Sequence, residues 1–181
     1  MPAHGADGPR LPPVTLVLGG ARSGKSRYAE RLVEDAASRG TYCATAEAGD
    51  AEMAERIAVH RARRGAFWRT VEAPLDLASA ITVHAEPECP ILVDCLTLWL
   101  SNLILAGRQP GEEISALCSA LRKARGTVVL VSNEVGMGLV PETPLGRNFR
   151  DAAGGLNQAV AALADRVVFV AAGLPLVLKE G

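Results

Sequence analysis

The sequence predicts an α/β fold with a mostly parallel sheet flanked by helices, and three observations carry that reading. Short apolar runs, many of them β-branched, at 14–18, 90–93 and 127–131 alternate with longer segments of helical periodicity. Residues 19–26, Gly-Gly-Ala-Arg-Ser-Gly-Lys-Ser, fit the phosphate-loop pattern G-x-x-x-x-G-K-[ST] and stand between an expected strand and an expected helix. The last two strand-like runs, 166–171 and 174–178, are so close together that they are expected to pair as a hairpin, which puts one antiparallel strand at an edge near the C-terminus. Strand–helix alternation around such a loop is the pattern of a P-loop NTPase sheet of the RecA-like kind.

The elements follow in order. Residues 14–18 form the first strand, and a helix is expected from Arg27 to about Ser38, closed by the cation and glycine of Arg39-Gly40. A second strand covers 41–46. Gly49-Asp50 offers a cap for a helix over 51–64, and 67–71 is a short strand. Pro74 is expected to open a helix to about His84. A buried strand over 90–93 ends at Asp94. Helices over 96–106 and 112–124 follow, split by Gly107 and Pro110-Gly111. After the strand at 127–131, a helix over 145–164 carries Phe149, Leu156, Val160 and Leu163 on one side.

Composition narrows the function classes. The chain has 181 residues, enough for one domain with a full core, and its net charge of −1 implies no bulk attraction to nucleic acid or to an anionic membrane. Residues 1–13 are rich in proline and glycine and lack the apolar core of a signal peptide, so they read as a flexible leader to a single catalytic domain over 14–181. The longest apolar stretch, 91–106, is broken by Asp94, Ser101 and Asn102 and is no membrane span. Cys43, Cys89, Cys95 and Cys118 form no C-x-x-C pair and are expected to be buried free thiols of a cytoplasmic protein.

The loop at 19–26 carries the first chemistry. Its glycines let the backbone wrap a phosphate with N–H groups pointing inward, and the next helix adds the positive end of its dipole. Lys25 is placed to reach the β- and γ-phosphates, and the Ser26 hydroxyl to hold magnesium. Ligands of such sheets sit beyond the C-terminal ends of the strands, which selects three further places. Asp94 is a magnesium partner there or a cap for the helix from Leu96. Glu47, after Thr45-Ala46, is free to contact a ribose, a metal or nothing. Glu134 opens a long glycine-containing loop, 132–141, and is a ligand or a local turn acceptor.

Met53, Arg56, Ile57, His60 and Arg64 share one face of the expected helix. With Arg61, Arg63 and Arg64 beside it, His60 has its cationic form disfavoured and is available as a neutral nucleophile. The same residues read equally as a solvated basic face. His4 and His84 read as exposed bystanders. The chain has no N-K-x-D guanine-reading motif. The residues alone leave open a single-activity small-molecule kinase and a non-catalytic nucleotide-binding module.

Longer motifs narrow this. Gly19 to Arg27, the segment 52–57 followed by His60-Arg61, Trp68 to Glu72, Val93 to Thr97, Asn133 to Glu142, Phe149-Arg150-Asp151 and Gly155 to Gln158 occur in order. Together they resemble the bifunctional adenosylcobinamide kinase / adenosylcobinamide-phosphate guanylyltransferase family of cobalamin biosynthesis. The resemblance implies phosphorylation of the aminopropanol hydroxyl of adenosylcobinamide by a nucleoside triphosphate. GMP then passes from GTP to a histidine, and from there to the substrate phosphate. It implies ATP and GTP as substrates, Mg2+ as cofactor and a homotrimer. By the same resemblance His60 is the guanylylated histidine. The nucleotide-contacting positions are Gly19, Gly20, Ala21, Arg22, Ser23, Gly24, Lys25 and Ser26, with Thr45, Ala46, Glu47, Arg61, Ala62, Arg63, Arg64, Glu72 and Asp94.

Overall fold

A computed structural model describes residues 11–47 and 65–181. They contain the strands β1 (Val14–Gly19), β2 (Gly40–Ala44), β3 (Trp68–Glu72), β4 (Ile91–Asp94), β5 (Val128–Asn133), β6 (Arg166–Ala171) and β7 (Leu174–Glu180). The helices are α1 (Lys25–Ala36), α2 (Leu77–His84), α3 (Leu96–Leu105), α4 (Pro110–Lys123) and α5 (Pro144–Leu163). All seven strands join one sheet in the order β3-β2-β4-β5-β1-β6-β7. Neighbours pair in parallel except β6 and β7, the antiparallel edge that the sequence predicts.

Alternation along the strands divides the core into two layers. Leu16, Ile91, Val93, Val128 and Leu130 face one side with Leu77, Ile81, Trp99, Leu103, Leu117, Leu156 and Val160 of α2, α3, α4 and α5. Val17, Leu92, Val129, Val131 and Val168 face the other, where Ala29 and Val33 of α1 cover them. The central strands are apolar on both sides because both sides are covered. Phe149, Leu156, Val160 and Leu163 do pack on one layer, as the periodicity of α5 predicts.

Several boundaries differ from expectation, each for a tertiary reason. Gly40 does not end α1; the helix closes at Ala37 in an extended conformation, and Gly40 starts β2. A Cβ there would lie 2.8 Å from the Trp68 ring, so this glycine serves an aromatic neighbour. Pro74 does not open α2. The Pro74 carbonyl accepts from Asn102 Nδ2 (3.1 Å) and the Leu75 carbonyl from Trp99 Nε1 (2.8 Å), which draws this segment onto α3. Pro110 belongs to the first turn of α4, where a missing N–H costs nothing. Leu11 packs against the α1 layer and the Pro13 carbonyl accepts from Val128 N–H (2.8 Å), so both residues, assigned on sequence to the leader, join the body of the fold. The helix expected over 51–64 lies outside the described residues. No described helix is long and apolar enough to cross a membrane.

Gly126, just before β5, is pressed against the backbone of Glu86, and a Cβ would overlap the Glu86 carbonyl. Backbone on both sides leaves nothing flexible to yield. Gly126→Ala is therefore expected to cost about 3 kcal/mol or more, the upper range for overpacking. An unfolding free energy in urea lowered by less than about 1 kcal/mol counts against this packing argument.

Candidate active site

The phosphate loop leaves β1 in the middle of the sheet, between the C-terminal ends of β5 and β6. Arg22 (φ 55°) and Gly24 (φ 94°) are both left-handed. Interleaved with right-handed neighbours, such residues turn successive N–H groups toward one concavity, a backbone anion nest. Ser23 N–H closes the loop onto the Gly20 carbonyl (3.3 Å), and α1 begins at once, its first-turn N–H groups facing the same concavity. Gly19 has no room for a side chain, because a Cβ would strike the Val170 carbonyl and the Ser23 hydroxyl.

Lys25 is buried, and its Nζ donates to the Gly20 carbonyl across the loop (3.0 Å). Burial lowers its pKa, opposed by the Cys95 thiol and the Asp94 carboxylate. Asp94 ends β4, and β5 stands between β4 and β1 in the sheet. The carboxylate therefore stands at the same C-terminal edge of the sheet as the loop, two strands away.

Asp94 does not cap α3. The cap position is Cys95, and no side chain caps this helix. Asp94 instead accepts from the Tyr42 hydroxyl on Oδ2 (2.8 Å). Tyr42 stands beside Leu92 in the β2–β4 register, two residues before the Ala44–Asp94 pair, so the two side chains are diagonal neighbours on one face. Thr45 fixes the corner below. Its Oγ1 donates to the Cys95 carbonyl (2.7 Å) and accepts from Cys95 N–H (2.8 Å). The Thr45 hydroxyl is thus buried in a structural bond, while half-buried Ala46 and exposed Glu47 lead away along the same edge. Glu72 ends β3 opposite Ala44.

A magnesium ion fits these donors. Ser26 supplies a half-buried hydroxyl in the first turn of α1, and Asp94 a half-buried carboxylate with Oδ2 already oriented by Tyr42. Among the described residues no group of three or more His, Cys, Asp or Glu side chains forms a complete protein cage. Mg2+ beside nucleotide phosphates needs none, since it keeps waters and phosphate oxygens in most of its shell. The Ser23 hydroxyl is buried without a hydrogen-bond partner.

Two supports of the loop have no local sequence signal. The first is the β6–β7 turn. Ala171 pairs with Leu174, and the two residues between them, Ala172 (φ 52°) and Gly173 (φ 80°), make a two-residue turn with both φ positive. Gly173 N–H donates to the Ser23 carbonyl (2.8 Å). Carbonyl and N–H of one trans peptide point opposite ways, so anchoring the Ser23 carbonyl outward turns Gly24 N–H inward. Gly173→Ala places a Cβ at left-handed φ, which costs about 1 kcal/mol. It is expected to lower the urea midpoint accordingly and to raise KM for nucleoside triphosphate several-fold at little changed kcat. A change in kcat alone overturns the positioning role.

The second support lies at the end of β5. Ser132 Oγ donates to Asn157 Oδ1 (2.7 Å), Asn157 Nδ2 to the Asn133 carbonyl (3.2 Å), and Asn133 N–H to Thr97 Oγ1 (2.7 Å). This network ties β5 to α3 and α5. Glu134 bonds locally to Gly136 N–H, the turn role that the sequence left open, and its own N–H donates to the Gly19 carbonyl (3.0 Å).

The described nucleotide-contacting candidates thus gather at one edge: Gly19 to Ser26, Thr45 to Glu47, Glu72 and Asp94 all lie at or beyond C-terminal strand ends. His60, Arg61, Ala62, Arg63 and Arg64 lie outside the described residues. His84, at the end of α2, has its Nδ1 2.7 Å from Arg69 Nη2. Cys43, Cys95 and Cys118 are buried and free, whereas Cys89 is half-buried. Burial pushes the Cys43 thiol up to about 12, and burial with the Asp94 charge pushes Cys95 up to about 11, so neither is a nucleophile at neutral pH.

The chain also resembles known proteins. The family model described as cobinamide kinase / cobinamide phosphate guanyltransferase matches residues 15–178. The bifunctional adenosylcobalamin biosynthesis protein CobP of Pseudomonas aeruginosa is 53% identical over 167 residues, covering 91% of this chain and 96% of that protein. The corresponding protein CobU of Salmonella typhimurium is 44% identical over 179 residues, covering 91% and 98%. Among solved structures, the flagellar accessory protein FlaH of Methanocaldococcus jannaschii superposes with a TM-score of 0.55 at 11% identity, covering 94% of this chain and 80% of that one. An ATPase of a bacterial type III secretion system gives 0.56 at 11% identity, covering 86% and 50%. These structural likenesses show the P-loop fold alone. The sequence match over nearly the whole length shows more: this chain belongs to the bifunctional cobinamide kinase / cobinamide phosphate guanyltransferase family of enzymes.

Proposed function

We propose that the chain phosphorylates adenosylcobinamide with a nucleoside triphosphate and then converts the product to adenosylcobinamide-GDP using GTP. The observation that carries the phosphoryl-transfer half is the nest at 19–26 with Lys25 bonded across it to the Gly20 carbonyl and Asp94 at the same edge of the sheet. In the first step the aminopropanol hydroxyl oxygen bonds to the γ-phosphorus and the nucleoside diphosphate leaves. The nest and Lys25 hold the phosphates and offset the charge that develops on them. Ser26 and Asp94 would hold Mg2+, which would supply further neutralisation of phosphate charge.

In the second reaction an imidazole nitrogen of His60 bonds to the α-phosphorus of GTP and pyrophosphate leaves. A phosphate oxygen of adenosylcobinamide phosphate then displaces His60, and the P–N bond breaks. Two moderate barriers replace one high one. In this reading Arg61, Arg63 and Arg64 neutralise the triphosphate, with Ala62 lying among them, and Thr45, Ala46, Glu47 and Glu72 line the nucleotide site. The support is the family membership and the place of His60 in its guanylylation segment.

One catalytic domain over 14–181, working in the cytoplasm as a homotrimer, completes the reading. The edge strand β7 is exposed along its whole length and carries Leu174, Leu176, Val177 and Leu178, a surface suited to contact between copies. Incubation with GTP labelled at the α-phosphate tests the function directly. Covalent label on the protein, discharged by adenosylcobinamide phosphate with release of pyrophosphate beforehand, is the expected result. No label, with cobinamide still phosphorylated, would leave a kinase alone.

A further inference from the structure

The segment joining β5 to α5 exposes apolar side chains that packing does not explain. Met137 is 81% exposed, Leu139 95%, Val140 63%, and Leu145 in the first turn of α5 59%. The backbone there is not loose. Glu134 N–H is bonded to the Gly19 carbonyl (3.0 Å), and the Glu134 carboxylate accepts from Gly136 N–H. At the other end Arg147 Nη1 donates to the carbonyls of Pro141 (3.1 Å) and Glu142 (2.7 Å), and Thr143 Oγ1 accepts from Gly146 N–H (3.1 Å). The chain is held at both ends and presents its apolar side chains outward between them.

Position gives this surface its meaning. β5 is the immediate neighbour of β1, and the segment begins one hydrogen bond from the first residue of the phosphate loop. Apolar patches of this kind mark a binding surface. The nest at 19–26 is polar and sized for phosphate, and it offers nothing to the rest of a large acceptor. We propose that residues 137–140 with Leu145 are the docking surface for the corrin ring of the acceptor, used in both transfers. This rests on the function proposed above. A corrin carries methyl and methylene groups around a flat ring, with amide side chains at its rim. Met137, Leu139 and Val140 match the former, and the exposed backbone groups of the loop match the latter. Methionine suits a broad, uneven apolar face because its side chain adapts. An acceptor seated here directs its aminopropanol arm across the β5–β1 boundary toward the loop.

The test uses the full chain carrying Met137→Ser and Leu139→Ser together, beside the conservative pair Met137→Leu and Leu139→Met. The serine pair is expected to raise KM for cobinamide at least tenfold. KM for nucleoside triphosphate should stay within twofold, as should the rate of covalent labelling by GTP, which needs no corrinoid. The conservative pair should restore KM for cobinamide. An unchanged KM for cobinamide in the serine pair, with the parent protein active, overturns the docking surface and leaves the proposed function standing. A parent protein that neither binds nor phosphorylates cobinamide overturns both. A fall in molecular mass of the serine pair in solution, with nucleotide and acceptor kinetics lost together, assigns the patch to contact between copies and overturns the proposal.

Discussion

Lys25→Ala is expected to reduce phosphorylation of cobinamide by about 10³-fold or more, the loss seen when a preorganised charge-stabilising group is removed from a transfer site. The side chain is buried at the concave side of the nest, and its Nζ bonds only the Gly20 carbonyl among the described residues. An ammonium so placed exchanges one backbone acceptor for phosphate oxygens without moving the loop. The fold should survive. Lys25 lies outside both apolar core clusters, and deleting a desolvated cation relieves a cost as well as removing stem contacts. Urea unfolding should therefore shift little while turnover collapses. Near-parental phosphorylation by a folded Lys25→Ala protein removes the loop from the reaction. Lys25→Arg should not rescue it, because a wide planar guanidinium does not reproduce the compact ammonium that Nζ presents beside the Gly20 carbonyl.

Much of this was legible from sequence because it is local. The loop at 19–26 declares itself through spacing alone, and strand–helix alternation fixed the parallel sheet with its antiparallel edge. The errors came where distant residues override a local signal. Gly40 looks like a helix stop and is a gap for Trp68; Pro74 looks like a helix start and is drawn onto α3 by Trp99 and Asn102. The same limit applies to the site. Asp94 was found as a strand-end carboxylate, but its orientation by Tyr42 depends on register between β2 and β4. Gly173 reaches Ser23 from near the other end of the chain, and no periodicity encodes that contact. A two-residue positive-φ turn was foreseeable from the close spacing of the last two strands; what the turn touches was not.

His60→Ala is expected to separate the two reactions. Guanylyl transfer should fall to background, since the variant has lost the proposed nucleophile. His84 offers a poor substitute. The chain has three histidines, of which His4 lies outside the described residues. His84 ends α2, the helix that returns from β3 to the start of β4. That connection carries it to the edge of the sheet opposite the phosphate loop, where Arg69 engages its Nδ1. A GTP held at residues 19–26 therefore does not present its α-phosphorus to His84. Phosphorylation of cobinamide needs positioning and charge neutralisation rather than a protein nucleophile, so it should persist in the variant. The parental adduct should be acid-labile and alkali-stable, as a phosphoramidate is. Mapping of the label to His84, or label still forming on the His60→Ala protein, would overturn the covalent mechanism. Persistence of the kinase step beside a lost transfer would assign His60 to guanylyl transfer alone.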